Sequence, residues 1–518
     1  MLLRSYTKNY LKVYLWQGIS IILNFLSMFI VLPKLTQSPT LYGIYSICIA
    51  TIVFLSYSDF GFLGAGYKYA SESYACGEKS EEISIMGFIY FILMIFTSIF
   101  ALVVLIFSLY PELIIKIIAN PVEKIIASKL LLILSLSSFI LITQRWFQVI
   151  FGIRVEDFVY QRTTIISSAM KIISVFYFFS ENKYDIVGYF LFSQILNLFI
   201  VIFCFSWLFN VYHYDIKLLL KALRFRIDTY KKIKKLAYSS LYLTFMWLLY
   251  IELDPFVISK LLGAQFVAYY AIGLTVFSFL RTIGGTLYSP FQARFNHFTG
   301  VGDFAGLRRL FIKVIILLAP LMVFPTLSIF VLAKPLVINW VSIKYLESIT
   351  VLQFLILGFM FNFISQPTSI ILLSLEKIRL IYLTSTLTVV IYWLGILFTF
   401  NILYLESFAL FRFISFFISA IVFIKIADDF LGINYLSFLK KFILPMIPSI
   451  LVMLSFLYLI EPLLPLAKSK VNLLFTVAAG IIAFLLGVSV YYLFSEKFRI
   501  YIKEYYLRFK KSPIVNEI

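Results

Sequence analysis

Three basic side chains stand inside apolar runs of the sequence, each with polar company at helical spacing. Arg145 shares a sector with Ser137, Ser138, Gln144 and Gln148; Lys171 belongs to the series Thr164, Ser167, Lys171, Ser174; Arg412 begins the series Arg412, Ser415, Ser419. Intervals of three, four, seven and ten residues hold such groups on one helical face. The first apolar run carries an uncharged stripe of the same kind, Gln17, Ser20, Asn24 and Ser27. Arginine and lysine form charge-assisted hydrogen bonds to anionic oxygens, and hydroxyls and amides complete a wet lining. The chemistry expected is therefore recognition of an anion in a polar cavity. An ionisable group near the bilayer centre costs at least about 2.5 kcal/mol on insertion scales, so it normally faces a partner, water or the bundle interior. Serine and threonine alone often only glue helices together. Arg145 lies roughly 9 Å from the inner end of its run, at 1.5 Å per residue, within reach of the interface by snorkelling. Cavity lining is the expectation for Arg145, Lys171 and Arg412.

Two carboxylates interrupt another apolar run, LLYIELDPFVIS from Leu248 to Ser259. Ser240, Thr244, Trp247 and Asp254 share a face, whereas Glu252 is turned by about 200° from Asp254 at 100° per residue. A regular helix would thus point Asp254 into a lumen, beside a backbone loosened by Pro255, and leave Glu252 to pair with a neighbouring helix. A structural salt bridge from Asp254 to Arg281 is an equal alternative to a role in substrate or ion handling.

The elements that must position these groups follow from composition. The 518 residues are 62% hydrophobic and 13% charged, with a mean hydropathy of +0.99, far from an ordinary soluble domain. Apolar runs recur at the roughly 17 to 25 residues that a helix needs to cross hydrocarbon, where only internally hydrogen-bonded elements are stable. The fold class expected is all-α integral membrane, with about 14 transmembrane helices. The spans cover 11–33, 41–58, 84–110, 129–151, 163–180, 186–209, 237–262, 265–288, 310–333, 348–374, 378–400, 404–424, 442–460 and 472–495. The first, Tyr14 to Pro33, is too long for a signal-peptide core and lacks a small-residue cleavage site, so it reads as a retained span. Cys48, Cys76 and Cys204 are isolated, and the two histidines, His213 and His297, lie in basic connecting segments. No metal, thiol chemistry or cofactor is expected.

The net charge of +19 fits membrane topology better than nucleic acid, because the basic residues fall between the apolar runs. Placing the N-terminus inside puts about 31 lysines and arginines in cytoplasmic segments against about 10 in outer ones, with both termini cytoplasmic. The densest segment, KALRFRIDTYKKIKK from Lys221 to Lys235, reads as an orientation signal on a solvated or lipid-touching helix. It also divides two similar pieces: LPKLTQSPTLYGIY at Leu32–Tyr45 resembles ISKLLGAQFVAYY at Ile258–Tyr270. Six spans separate the copies, as in transporters built from parallel repeats. The expected organisation is two pseudo-symmetric six-helix lobes plus two C-terminal helices. Residues 1–210 form an N-lobe of spans 1–6, 211–236 a basic connecting segment, 237–427 a C-lobe of spans 7–12, and 428–518 spans 13–14 with a basic tail. The last two spans could pack around the core or hold a lipid groove.

The stretch YSDFGFLGAGYKYA, with Asp59, Gly61, Ala65 and Lys68, and the LYGIY before it resemble the pattern at the end of the second span in Wzx-type polysaccharide flippases. These are members of the multidrug/oligosaccharidyl-lipid/polysaccharide (MOP) exporter superfamily. LDPFVISKLLGAQFVAYYAIG is similar to the family's seventh span, with Ala268 where glycine is usual. The resemblance covers roughly residues 10–425 in layout. It implies a bacterial inner-membrane carrier that moves undecaprenyl-pyrophosphate-linked oligosaccharide units, the repeats of O-antigen, lipopolysaccharide or capsule, from inner to outer leaflet. On that reading the halves rock about a midplane cavity. Arg145, Lys171, Arg281 and Arg412 would neutralise the diphosphate, Asp59 and Asp254 would orient those bases or accept a coupling H+ or Na+, and Gln17, Asn24, Gln144 and Gln148 would line the sugar path. Other polysaccharide-assembly membrane proteins would be partners, nucleic acid would not.

Two rivals differ in class. A membrane polymerase or ligase would carry a long outer loop with clustered arginine, histidine or carboxylates, whereas the longest outer segment here, Pro111 to Ser128, is largely apolar. Ala427–Asp429 offers two carboxylates without a nucleotide-binding domain beside them and reads as a solvated helix end. A drug exporter of the same superfamily would favour an acidic or aromatic cavity, and the basic excess of the stripes points the other way.

Overall fold

The computed structural model describes residues 2–57, 59–116, 120–180 and 183–510. Every regular element in it is helical, and the chain divides into two compact units at Ala268 and Tyr269. Among the described residues eleven helices are long and apolar enough to cross a membrane, and up to thirteen spans result if each of two bent helix pairs counts as one. The fifth span read from the sequence is a helix of 22 residues, Asp157–Phe178, but is not among them; Gln161, Arg162, Lys171 and a run of hydroxyls dilute its apolar character.

The first unit comprises α1 (Leu2–Leu35), α2 (Pro39–Ser56), α3 (Phe62–Ala75), α4 (Lys79–Leu109), α5 (Pro121–Ile153), α6 (Asp157–Phe178), α7 (Ile186–Asn210), α8 (Ile216–Ala222), α9 (Ile227–Trp247) and α10 (Asp254–Leu261). Local chemistry sets the starts. Ser38 caps α2 ahead of Pro39, Asn120 caps α5 ahead of Pro121 by accepting from Val122 N at 2.9 Å, and Asp185 caps α7, each satisfying an amide that a helix start leaves orphaned. α5 is the central post, packed on α4, α2 and α7, while α1 lies along α6. Its Trp146, fully buried, donates Nε1–H to the Met86 carbonyl at 2.9 Å, inside a core with Phe88, Phe147, Phe151 and Cys204.

The seventh span is not a regular helix. Leu248–Glu252 forms a widened turn, with Leu253 N reaching Leu248 O, and the segments before and after meet at 43°. Pro255 follows at once, lacking the donor that would stitch the turn to the preceding one. The widened turn shifts the phase that placed Ser240, Thr244 and Trp247 on the face of Asp254, and Glu252 and Asp254 are both buried. Both limbs belong to the first unit. α9 packs on α3, where Gly61, at φ +79°, has no room for a side chain: a Cβ would stand 2.6 Å from the Ala237 carbonyl oxygen. α10 packs on α2 and also receives residues 111–116, with Lys116 Nζ on the Leu261 carbonyl at 2.7 Å and Ser259 Oγ on that of Ile114 at 2.9 Å. Within the basic segment, α8 lies on α4, and Lys232 pairs with Glu81 at 2.7 Å.

The second unit starts within α11 (Ala264–Val301) and contains α12 (Phe304–Val331), α13 (Ala333–Trp340), α14 (Glu347–Met360), α15 (Asn362–Ser374), α16 (Ile378–Leu403), α17 (Leu405–Leu431), α18 (Tyr435–Phe438), α19 (Ile447–Ile460), α20 (Lys470–Phe494) and α21 (Glu496–Lys510). α14 and α15 meet at 45°. The last two spans, whose place the sequence left open, pair with each other and pack on α12, with Phe324 of α12 edge-on to Tyr491 of α20. The basic tail begins as α21, held to α12 by Lys313–Glu504 at 2.6 Å; its end, 511–518, lies outside the described residues.

Candidate functional site

In the first unit the polar side chains of α5, α6 and α7 converge on one residue. Asn197 of α7 accepts Lys171 Nζ on its side-chain oxygen at 3.0 Å, accepts Gln144 Nε2 on its main-chain oxygen at 2.8 Å, and donates Nδ2–H to Gln194 Oε1 at 3.0 Å. Gln144, Gln194 and Asn197 are buried, and Lys171 is half-buried. Burying so many polar groups is tolerable because they satisfy one another. The stripes of α5 and α6 had been visible as periodicities. Gln194 and Asn197 had not, since α7 carries no charge to mark its polar face.

One residue along α5, Arg145 points to the α2–α3 junction. Its Nη2 donates to the Ser56 carbonyl at 2.8 Å, the last residue of α2, where an unpaired carbonyl and the negative helix end welcome a cation. The chain then breaks: Phe60 and Gly61 both have positive φ, and α3 starts at Phe62. Asp59 sits in this break, accepts Leu63 N at 3.2 Å, and interacts electrostatically with Arg145. The motif read as the end of the second span lies where α2 ends, in a break before α3 that puts a helix end and charged groups at one place. Gln148, one turn on from Gln144, stands near Tyr160 of α6, which also feels the Arg145 charge. Asp59 and Arg145 form one group, Gln144 and Lys171 another through Asn197, and α5 contributes to both.

Gln17 is half-buried and Asn24 exposed on α1. Asp254 is fully buried at the start of α10.

In the second unit Arg281 is half-buried on α11, and Arg412 is fully buried on α17. The Arg412 guanidinium lies over the Tyr392 ring at 5.2 Å from its centroid, with Nη2 3.4 Å from the Tyr392 hydroxyl. Two turns further along α17, Ser419 meets Thr388 at 2.5 Å. The Arg412, Ser415, Ser419 stripe therefore contributes to a polar seam against α16.

Among the described residues no group of three or more histidine, cysteine, aspartate or glutamate side chains is arranged to hold a metal. Cys48 and Cys204 are buried thiols and Cys76 an exposed one. What both units supply is basic and neutral hydrogen-bond donors set inside apolar helices.

No protein-family model and no curated protein matches the sequence. Solved structures do. The chain is similar to the lipid II flippase MurJ in an inward closed conformation, with a TM-score of 0.65 and 16% identity over 92% of this chain and 99% of that one. It is similar to an inward-facing multidrug resistance MATE family transporter of the MOP superfamily, with a TM-score of 0.59 and 14% identity over 80% of this chain and 95% of that one. A MOP superfamily transporter from Pyrococcus furiosus, described by the reverse polarity of its binding pocket, gives 0.54 and 13% over 82% and 95%. The chain is an all-helical, multi-span membrane protein with the MOP superfamily transporter fold.

Proposed function

We propose that this protein is a flippase that carries a polyprenyl-diphosphate-linked oligosaccharide from the inner to the outer leaflet of a bacterial cytoplasmic membrane by alternating access. The observation that carries the reading is the basic and amide-lined interior of the first unit, in which Arg145 and Lys171 are held by carbonyl and amide oxygens. A lysine or arginine so held can turn its remaining donors to an anion, while Gln144, Gln148 and Tyr160 offer the mixed donors and acceptors that sugars use. The extent of the structural likeness supports a lipid-linked cargo. The flippase match includes 92% of this chain, against 80% and 82% for the two other transporters.

On this reading Arg145 and Lys171 contact the diphosphate, Asp59 and Asp254 orient basic groups or take a coupling cation, and Gln17 and Asn24 line the sugar path. The prenyl chain stays in lipid. With the inside negative, the membrane potential favours outward movement of an anion by about 2.3 kcal/mol per charge per 100 mV. Arg412, enclosed beside Tyr392, belongs to the second unit's seam, and the test separates binding from structure. The gene is deleted in its host and lipid-linked repeat units on each leaflet are measured. Inner-leaflet accumulation, rescued by the intact gene and not by Arg145→Ala or Lys171→Met proteins that fold and insert normally, is expected. Normal surface glycan in the deletion strain would overturn the proposal. Arg412→Ala is read for both transport and thermal stability, so that a fold defect shows itself as such.

A further inference from the structure

A polar cavity lies away from the Asn197 network, at the ends of α4, α5, α6 and α7 that the charge bias places on the cytoplasmic side. It has a volume of about 610 Å³, within the range of about 300 to 1,000 Å³ typical of small-molecule sites. Its lining includes Lys79, Glu82, Arg154, Arg162, Trp207 and Tyr212. Arg154, only 9% exposed, is fixed from every side. Nη2 donates to Glu82 Oε1 at 2.7 Å and Nη1 to the Ile150 carbonyl at 3.2 Å, and the rings of Tyr74 and Tyr212 lie 4.8 and 4.4 Å from the guanidinium carbon. Both carboxylates are already engaged, Glu82 by Arg154 and the Tyr214 hydroxyl, Glu156 by the Tyr212 hydroxyl at 2.6 Å. Lys79 and Arg162 are exposed and make no ion pair among the described residues, Arg162 lying over the Trp16 ring at 4.9 Å. Three cations thus face two committed carboxylates.

We propose that this cavity binds the phosphate headgroup of an anionic glycerophospholipid from the inner leaflet. Arg162 and Lys79 take the phosphoryl oxygens, and the immobilised Arg154 provides the positive field beneath them. The walls decide between a lipid and a free anion. Phe158, Val159 and Val211 border the cavity, giving apolar surface that a glycerol backbone and the first methylenes would cover and a bare phosphate would not. Trp16 and Trp207 mark the headgroup level, where amphipathic rings concentrate, and basic pockets between transmembrane helices on this side are suited to phospholipid headgroups. The site serves a resident lipid and does not require the transport reading.

The test uses the purified full chain in a neutral detergent, with short-chain phosphatidylglycerol, the matching phosphatidylcholine and inorganic phosphate as separate titrants. Binding is read by thermal shift and by native mass spectrometry. Phosphatidylglycerol is expected to bind and stabilise, and the doubly substituted Lys79→Ala, Arg162→Ala protein to bind it about thirty-fold more weakly, from the worth of two basic groups near an anionic headgroup. The charge-conserving Lys79→Arg, Arg162→Lys protein should retain most of the affinity, which guards against a fold defect in the alanine form. Equal stabilisation by phosphatidylcholine, unchanged affinity in the alanine protein, or inorganic phosphate binding as tightly as the lipid would each overturn the assignment.

Discussion

Leucine in place of Asn197 would remove the side-chain acceptor of Lys171 Nζ and the donor to Gln194 Oε1, contacts of 3.0 Å each, while leaving the main-chain oxygen that Gln144 uses. Two opposing scales set the magnitude. Hydrogen bonds to charged groups are worth about 1.5 to 3 kcal/mol in soluble proteins, whereas interhelical hydrogen bonds measured within a membrane protein average about 0.6 and reach about 1.7 kcal/mol, because the reference state finds other partners. Lys171 is half-buried and bonds as a cation, which places this pair toward the upper end of the membrane scale, at about 1.5 kcal/mol of coupling. Stranding Gln194 adds a cost of about 1 kcal/mol or more. Asn197→Leu alone should therefore cost about 2.5 kcal/mol, and Lys171→Met alone less, since it leaves an amide able to turn elsewhere. The double substitution should cost about 1.5 kcal/mol less than the sum. Unfolding free energies from reversible denaturation in mixed micelles close this double-mutant cycle. A coupling below about 0.4 kcal/mol, the usual scatter of additive sites, would refute the claim that Asn197 holds Lys171, and with it the view of Asn197 as the centre of the first unit's polar interior.

Tyr392→Leu should lower the stability of the second unit by about 2 kcal/mol through loss of a desolvated cation–π contact, and Tyr392→Phe, which keeps the ring at Arg412, by much less; thermal unfolding of both proteins checks the order. Gly43→Ala would set a Cβ 1.8 Å from the Ala264 carbonyl oxygen, forcing backbone apart at a cost of about 1 to 3 kcal/mol, seen as a fall in folded yield and melting temperature that Gly18→Ala, with open space around it, does not share. Lys124 hydrogen-bonds the exposed Glu112 carboxyl and holds it below the ordinary carboxylate range. Because the folded value is the lower one, the pair's contribution is present above about pH 4.3 and is lost as pH falls through the folded value. Melting temperature followed from pH 7 to pH 3 should therefore fall slightly more in wild type than in Lys124→Ala, by no more than a surface pair supplies.

Much of the architecture is a local property of the chain. A run of about twenty apolar residues can cross hydrocarbon only as a helix, whatever its neighbours do, so the all-helical class and nearly every span were legible from hydropathy. α6 marks the edge of that rule: its polar stripe, the feature that drew notice to Lys171, also lowers its hydropathy. Periodicity likewise identified which face of α5, α6 and α17 is polar, because rotational phase along a helix is written in the spacing of its own residues.

What periodicity cannot contain is the element that a face confronts. The α17 stripe meets Tyr392 and Thr388 of α16, and Lys171 meets an asparagine from a helix with no charge of its own. Backbone breaks were equally hidden. Asp59 lies in the break where α2 has ended and α3 has yet to start, and the widened turn at Leu248–Glu252 shifts the phase that placed Ser240, Thr244 and Trp247 on the face of Asp254. Hydropathy and residue spacing set the solvent in which this chain folds and the polar inventory each helix carries into it. Tertiary packing alone decided which of those groups satisfy one another, because a buried donor in a bilayer must find its acceptor on whichever helix stands opposite.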